Sequence, residues 1–328
     1  MKEVIAVSGA RCSKFGLHLG HYSGCFIPLS AQLLNKYDHY FFVVYDSLTT
    51  KNDENIYKFV SQIYALADSL KLRNVHVVLE SQIAPLIYKI RYGIENIVTV
   101  EQLKASYRVN HRNMHLPASQ SGRTISDFMF PLNQAAIAIA YNAKYTCMND
   151  DNIRIVELTR DIIRKINNFQ NTNISNHTLV TGYKPHLFGF NYLKMCNRNN
   201  NAIYFSDEIK SLDLKIHQLF SHKRYFEKYP NQYDLFKSTN EYYYNDAYLP
   251  VYFYKALFPH LFREEFYLLD KEMNILFEID LKKRIIGLIG LVNSKYIEYI
   301  KQIDFIKNRM KSDFAVSYEL ISKSHFIE

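Results

Sequence analysis

The feature that most constrains this chain is an alternation. Three short, almost wholly apolar runs, Val4 to Ser8, Tyr40 to Tyr45 (YFFVVY) and Val75 to Leu79, are separated by longer segments with helical spacing. A run without polar alternate positions suits a strand covered on both faces, the situation inside a parallel sheet. Between the second and third runs, Ile56, Phe59, Val60, Ile63, Ala67 and Leu70 fall on one face of a helix expected from Asp53 to Leu70. Strands alternating with helices at this spacing predict an α/β fold with a Rossmann-like parallel sheet.

Further along, the pattern changes twice. Between residues 91 and 127 it weakens into a basic, polar stretch broken by Pro117 and Gly122, which suggests an insertion or loop. An Ala-rich helix is expected from Phe130 to Tyr141 with Pro131 in its first turn. A short strand over Tyr145 to Met148, an amphipathic helix over Asn152 to Asn167 and a helix capped by Ser206 follow. Beyond about residue 215 no strand–helix–strand pattern continues. Leu281 to Ile300 and Gln302 to Lys311 predict long helices rich in Lys and Arg. The expected division is a nucleotide-binding α/β domain over 1–210, with its insertion over 91–127, and a helical domain over 211–328.

Composition narrows the function classes. A net charge of +8 fits a polyanionic partner such as RNA, although many soluble proteins are as basic. Cys12, Cys25, Cys147 and Cys196 are scattered, with no paired spacing, so neither a structural zinc site nor a disulfide framework is expected, and a reducing cytoplasm is the expected location. The opening MKEVIAVSGARCSKFG lacks the apolar length of a signal peptide, and no run approaches a membrane span.

Two segments carry chemistry. Gly16-Leu17-His18-Leu19-Gly20-His21 follows the first expected strand and opens a helix. A glycine at a helix start lets phosphate approach backbone N–H groups, and two imidazoles beside it can stabilise charge on a phosphoryl group. Taken alone, the pair is a weak signal and reads more readily as surface histidines at a helix start. Its place after a strand raises its interest, since parallel sheets bind nucleotides at the carboxyl ends of their strands. The second segment, Lys194-Met195-Cys196-Asn197-Arg198, places two cations on an Asn-rich loop before Asn201-Ala202-Ile203-Tyr204-Phe205-Ser206-Asp207. Lys194 and Arg198 suit β- and γ-phosphate oxygens.

In this order the two segments resemble the HIGH and KMSKS motifs of class I aminoacyl-tRNA synthetases. Glu157-Leu158-Thr159-Arg160-Asp161-Ile162, preceded by Asp151, resembles a segment of bacterial tryptophanyl-tRNA synthetases. Phe130-Pro131 with Gln134 resembles the pocket helix shared by the tryptophanyl and tyrosyl enzymes, and NAIYFSDE resembles their run after KMSKS. The resemblance covers essentially the whole chain. It implies ATP-dependent activation of an amino acid to an aminoacyl adenylate and transfer to tRNA, with Mg²⁺ accompanying ATP, by a homodimer. It implies His18, His21, Lys194 and Arg198 as catalytic groups. Gly9, Gly20, Lys104 and Met195 join the ATP site. Val7, Asp46, Phe130, Gln134, Ile137, Asp151 and Asn152 surround the amino acid.

The chain also departs from the family. Ile137 stands where these enzymes place an Asp that accepts a hydrogen bond from the substrate ring, and Val7 stands where tyrosyl enzymes place a Tyr. Burying an unpaired ring donor there costs on the order of 1–3 kcal/mol. An apolar pocket floor is therefore expected, favouring a side chain without a ring donor. Asn152 replaces a family Gln and Asn149 a family Gly, while Asn197 and Arg198 replace the second lysine and last serine of the KMSKS loop. Two alternatives stay open beside the synthetase: a paralogue passing an activated amino acid to another acceptor, and a non-catalytic RNA-binding or sensor protein.

Overall fold

The structure, a computed structural model, describes residues 3–34, 36–46, 53–112, 125–170, 172–182, 187–190, 194–197, 200–220, 253, 255–259 and 271–323. The three apolar runs form β1 (Ile5–Arg11), β2 (His39–Tyr45) and β3 (Val75–Leu79). With β4 (Tyr145–Cys147) and β5 (Thr178–Val180) they make a five-stranded parallel sheet in the order β3-β2-β1-β4-β5. Every strand pair runs parallel, and Val7 lies beside Phe41 on one side and Thr146 on the other. Strand order reverses direction at β1, so the crevice between β1 and β4 is the topological switch point where such sheets bind ligands. The Rossmann-like α/β fold expected from the sequence is the fold observed.

A short helix, α1 (Leu19–His21), follows β1 and continues through two wide turns, Tyr22–Phe26 and Pro28–Gln32. The other helices of the first half are α2 (Asp53–Ser69), α3 (Glu80–Glu95), α4 (Val100–Arg112), α5 (Ile125–Ala140) and α6 (Ile153–Gln170). Three expectations need correction. Part of the segment expected to be a loop is helical: α4 packs on α5 and α6 and buries Leu103, while residues 113–124 lie outside the described residues. Ile125 to Met129 extend α5 upstream, so Pro131 falls inside the helix rather than in its first turn. Ser206 caps no helix; its hydroxyl donates to the Phe15 carbonyl, and α7 (Ile209–Phe220) begins later.

The C-terminal helices, α8 (Lys271–Lys301) and α9 (Ile303–Ser322), close over the sheet domain. Leu281, Ile285, Ile289 and Val292 recur at helical spacing and are buried against α2. α9 buries Ile306, Met310, Asp313, Ser317 and Ile321 on one face against α2, β3 and α3. Asp313 is 6% exposed and accepts three hydrogen bonds: from the Tyr64 hydroxyl at 2.5 Å, the Val77 amide at 2.8 Å and His76 Nδ1 at 3.0 Å. Nearby, Arg309 pairs with Asp68 at 2.8 Å and lies 4.0 Å from the Tyr64 ring centre. Arg309, one of the cations of the Lys- and Arg-rich C-terminal helices, is thus occupied in the contact between α9 and α2.

Replacing Asp313 with Ala should strand Tyr64, His76 and the Val77 amide together. A loss of roughly 3 kcal/mol in the free energy of urea unfolding is expected, since each stranded buried donor costs about 1–3 kcal/mol. A loss below about 1 kcal/mol would show that water or repacking satisfies these groups instead.

Candidate active site

The loop between β1 and α1 is shaped by α2. Gly16 has φ +81°, a conformation that disfavours side chains, and a Cβ there would meet the amide of Gln62. Gln62, buried on α2, accepts from the Leu17 amide at 2.7 Å. The chain then enters α1 through a reciprocal cap. His18 Nδ1 accepts from the Gly20 amide at 3.1 Å, and His21 Nδ1 accepts from the His18 amide at 3.2 Å. The two rings lie 3.8 Å apart.

These bonds decide protonation. A neutral imidazole whose Nδ1 accepts must carry its proton on Nε2, so both histidines present an Nε2–H donor. Burial lowers both pKa values, His18 well below its ordinary value and His21 to about 4; His21 adds to the effect on His18, and the Lys194 ammonium adds to both. Lys194 therefore shares the electrostatic environment of the histidines, although it stands far along the chain.

A backbone splice explains how. The Leu19 amide donates to the Ile203 carbonyl and the Phe205 amide to the Leu17 carbonyl, both at 3.0 Å, bridging His18 to Tyr204. Asn201, fully buried, then closes the loop that carries Lys194: its amide nitrogen donates to the Lys194 carbonyl at 3.0 Å, and its oxygen accepts from the Cys196 amide at 3.0 Å. The Met195 amide donates to the Leu187 carbonyl at 2.7 Å. The Met195 carbonyl lies so near Gly20 that a Cβ there would stand 3.6 Å from it, while meeting the His18 ring at 2.8 Å. Past the loop, Lys215 binds Asp207 at 2.6 Å, and Asp207 accepts from the Tyr204 amide. The role of Asn201 was hidden in the sequence, where it was one Asn in an Asn-rich run.

At the crevice between β1 and β4 lies a cavity. It offers about 20 Å³ to a water-sized occupant, within about 360 Å³ of free space that opens to solvent. Val7 and Ser8 of β1, Tyr45 of β2, and Gln134 and Ile137 of α5 form one side. Thr146, Met148, Asn152, Ile155, Val156, Thr159 and His177 form the other. Burial raises the Tyr45 pKa, partly offset by a hydrogen bond from Gln134. Gln134 Oε1 is buried without a hydrogen-bond partner.

The other residues singled out by sequence are placed as follows. Phe130 packs edge-on against Tyr45 at 4.8 Å beneath the Arg11 guanidinium and does not line the cavity. Asp46 accepts from the Ser81 amide at 3.0 Å and the Ser81 hydroxyl at 2.5 Å, at the start of α3. Gly9 sits under the Tyr45 ring, which a Cβ would meet at 2.7 Å. Lys104 is exposed on α4. Asp151 lies in the turn Asp150–Asn152, and Arg198 is outside the described residues. Asn149, in the same region, packs its side chain where a Cβ on Gly24 would stand, 2.5 Å from its Oδ1.

The family model for class I tRNA synthetases of the W and Y type matches residues 1–250. The chain belongs to this family. It is 27% identical over 216 residues to the tryptophan–tRNA ligase of Chlamydia caviae, a match covering 62% of each chain. It is 27% identical over 237 residues to that of Streptococcus mutans, covering 67% of each. The matched region thus spans somewhat less than two thirds of the Chlamydia enzyme. Among solved structures, tryptophanyl-tRNA synthetase from Campylobacter jejuni, complexed with ADP and tryptophan, shares the fold with a TM-score of 0.67 at 15% identity, covering 98% of this chain and 97% of that one. Tyrosyl-tRNA synthetase from Archaeoglobus fulgidus, complexed with L-tyrosine, gives 0.64 at 14% identity, covering 89% and 90%.

The low pKa values of His21 and of His177, also about 4, predict how stability depends on pH. Each group binds fewer protons when folded than when unfolded between about pH 6.5 and 4. Their contribution is fully present above pH 6.5 and is lost as pH falls through that window toward 4. Melting temperature should be insensitive to both groups above pH 7 and should drop on acidification. His21→Asn should flatten part of that drop, and an unchanged acid profile would contradict burial of a neutral His21.

Proposed function

We propose that this chain is a tryptophanyl-tRNA-synthetase-like enzyme that activates an amino acid with ATP and transfers it to tRNA. The observation that carries the reading is the splice that sets Lys194 beside two histidines already fixed as Nε2–H donors. In the first step a substrate carboxylate oxygen attacks the α-phosphorus, the bond from that phosphorus to the β-phosphate oxygen breaks, and pyrophosphate leaves. In the second, a hydroxyl of the tRNA 3′ ribose attacks the acyl carbon, loses its proton, and AMP leaves. His18 and His21 hold the α-phosphate oxygens as charge builds, without proton transfer. Lys194, with Arg198, holds the departing pyrophosphate, and the backbone near Gly9, Gly20 and Met195 borders the nucleotide. Mg²⁺ arrives with the ATP phosphates; among the described residues no group of three or more His, Cys, Asp or Glu side chains is placed to hold a metal by itself.

Gln134 Oε1, a buried acceptor without a partner, suits the substrate α-ammonium, with Asn152 in the same lining. Ile137 takes part in the wall and offers no acceptor, so a substrate ring is not held as in the family's usual pocket. A second reading, a paralogue with a different substrate or acceptor, draws its support from that departure.

Two partners complete the proposal. Phe169 is exposed on α6 at a hollow of about 140 Å³ lined partly by Ile97, Ile139 and Ile166, a face suited to a second copy of the chain, and Tyr88 and Tyr92 are also exposed on α3. Lys301 and Lys311 are exposed on α8 and α9, with Lys307 half-buried between them, available to RNA phosphates. Among the described residues no helix is long and apolar enough to cross a membrane.

Pyrophosphate exchange assayed with each of the twenty amino acids should identify a substrate. His18→Ala and His21→Ala should each lower kcat by about 100-fold or more, the usual effect of removing a transition-state donor. Exchange with no amino acid would leave the fold without this activity. Charge reversal at Lys301, Lys307 and Lys311 together should weaken tRNA binding and flatten its salt dependence in a filter-binding titration. Unchanged binding would assign these helices a purely structural role.

A further inference from the structure

The cavity contains a buried polar pair that the sequence did not single out. Thr146 Oγ1 lies 2.6 Å from His177 Nε2, and His177 Nδ1 lies 2.7 Å from the Ala143 carbonyl. A carbonyl only accepts, so Nδ1 carries the imidazole proton. Nε2 then accepts, and Thr146 commits its single hydroxyl proton to it. The Thr146 oxygen keeps acceptor capacity and has no proton left to donate. Thr159 is in the same condition, since its hydroxyl donates to the Ile155 carbonyl at 2.8 Å. Ser8, whose hydroxyl donates to the Cys147 carbonyl at 2.6 Å, is in that condition too, so with Gln134 Oε1 these residues offer four oxygen acceptors in a lining that also holds Tyr45 and Asn152.

Position singles out Thr146. It is the register partner of Val7 on β1, directly across from it at the switch point, and it is 6% exposed with His177 at 1%. A buried oxygen of this kind discriminates strongly, because a ligand without a donor leaves it unsatisfied.

Building on the amino-acid-activating reading of this site, we propose that Thr146, held in its acceptor state by His177, is the specificity-determining residue for the substrate side chain. The substrate class is an amino acid whose side chain carries an O–H or N–H donor. The acceptor that Ile137 does not supply from α5 is supplied from β4. This reverses the preference for a donor-free side chain expected from Ile137 alone.

The test is equilibrium binding of isosteric pairs to the full-length protein by titration calorimetry: threonine against valine, tyrosine against phenylalanine, and tryptophan against 3-benzothienylalanine, whose sulfur replaces the indole N–H. In the pair that fits, the donor-bearing member should bind on the order of 10-fold more tightly. Thr146→Val should abolish that preference. His177→Gln should preserve it, since a Gln oxygen can take the Thr146 proton while its amide nitrogen donates to Ala143. Equal binding within every pair, no binding by any member, or a preference that survives Thr146→Val would overturn the proposal, and the first two need no variant to fold. Pyrophosphate exchange on the same samples is read separately. Discrimination in binding without exchange would keep the pocket assignment and reject the catalytic one, and exchange without discrimination would do the reverse.

Discussion

Two backbone hydrogen bonds, Leu19 to Ile203 and Phe205 to Leu17, join segments from opposite ends of the sheet domain. Everything at the candidate site depends on them. They place the Lys194 loop over the start of α1, and the ammonium there reinforces the burial that keeps both histidines neutral. Because the bonds run between main-chain atoms, they tolerate many side-chain changes on either strand. The site is thus fixed by chain path, and the chemistry is adjusted by the few side chains that face the cleft.

Asn201 shows how such a loop is held without secondary structure. One side-chain amide satisfies a carbonyl and an N–H that flank Met195, doing for the loop what a ladder does for a strand. Its burial excludes competing water, which strengthens both bonds. The histidine cap works in a similar way at α1. The bonds that start the helix are the bonds that choose the tautomer, so helix geometry and donor identity cannot vary independently.

Much of this was legible in the sequence because local rules determined it. The apolar runs of β1, β2 and β3 and the amphipathic spacing of α2 fixed those elements to within a few residues, and the two motifs pointed to segments that the structure brings together. β5 was missed because a three-residue strand in an Asn-rich stretch has no periodicity to detect. α4 was missed because its polar surface outweighs the few side chains it buries. The cavity was legible at Val7, Gln134, Ile137 and Asn152, the positions at which the chain resembles or departs from the family's pocket. Thr146 lies on β4 and His177 immediately before β5, and the pairing of those two strands brings them together, so no spacing in the chain relates them.

The contact between Gly24 and Asn149 bears on how this sequence can change over time. The Asn149 amide occupies the space that any side chain at position 24 requires. Those atoms are the far end of a side chain, so a larger residue at 24 requires the Asn149 amide to turn aside or residue 149 to become smaller, whereas a smaller residue at 149 is sterically open from the start. The two positions are therefore coupled: one route between their alternative states is open in single steps, and the opposite route carries the cost of displacing the Asn149 amide.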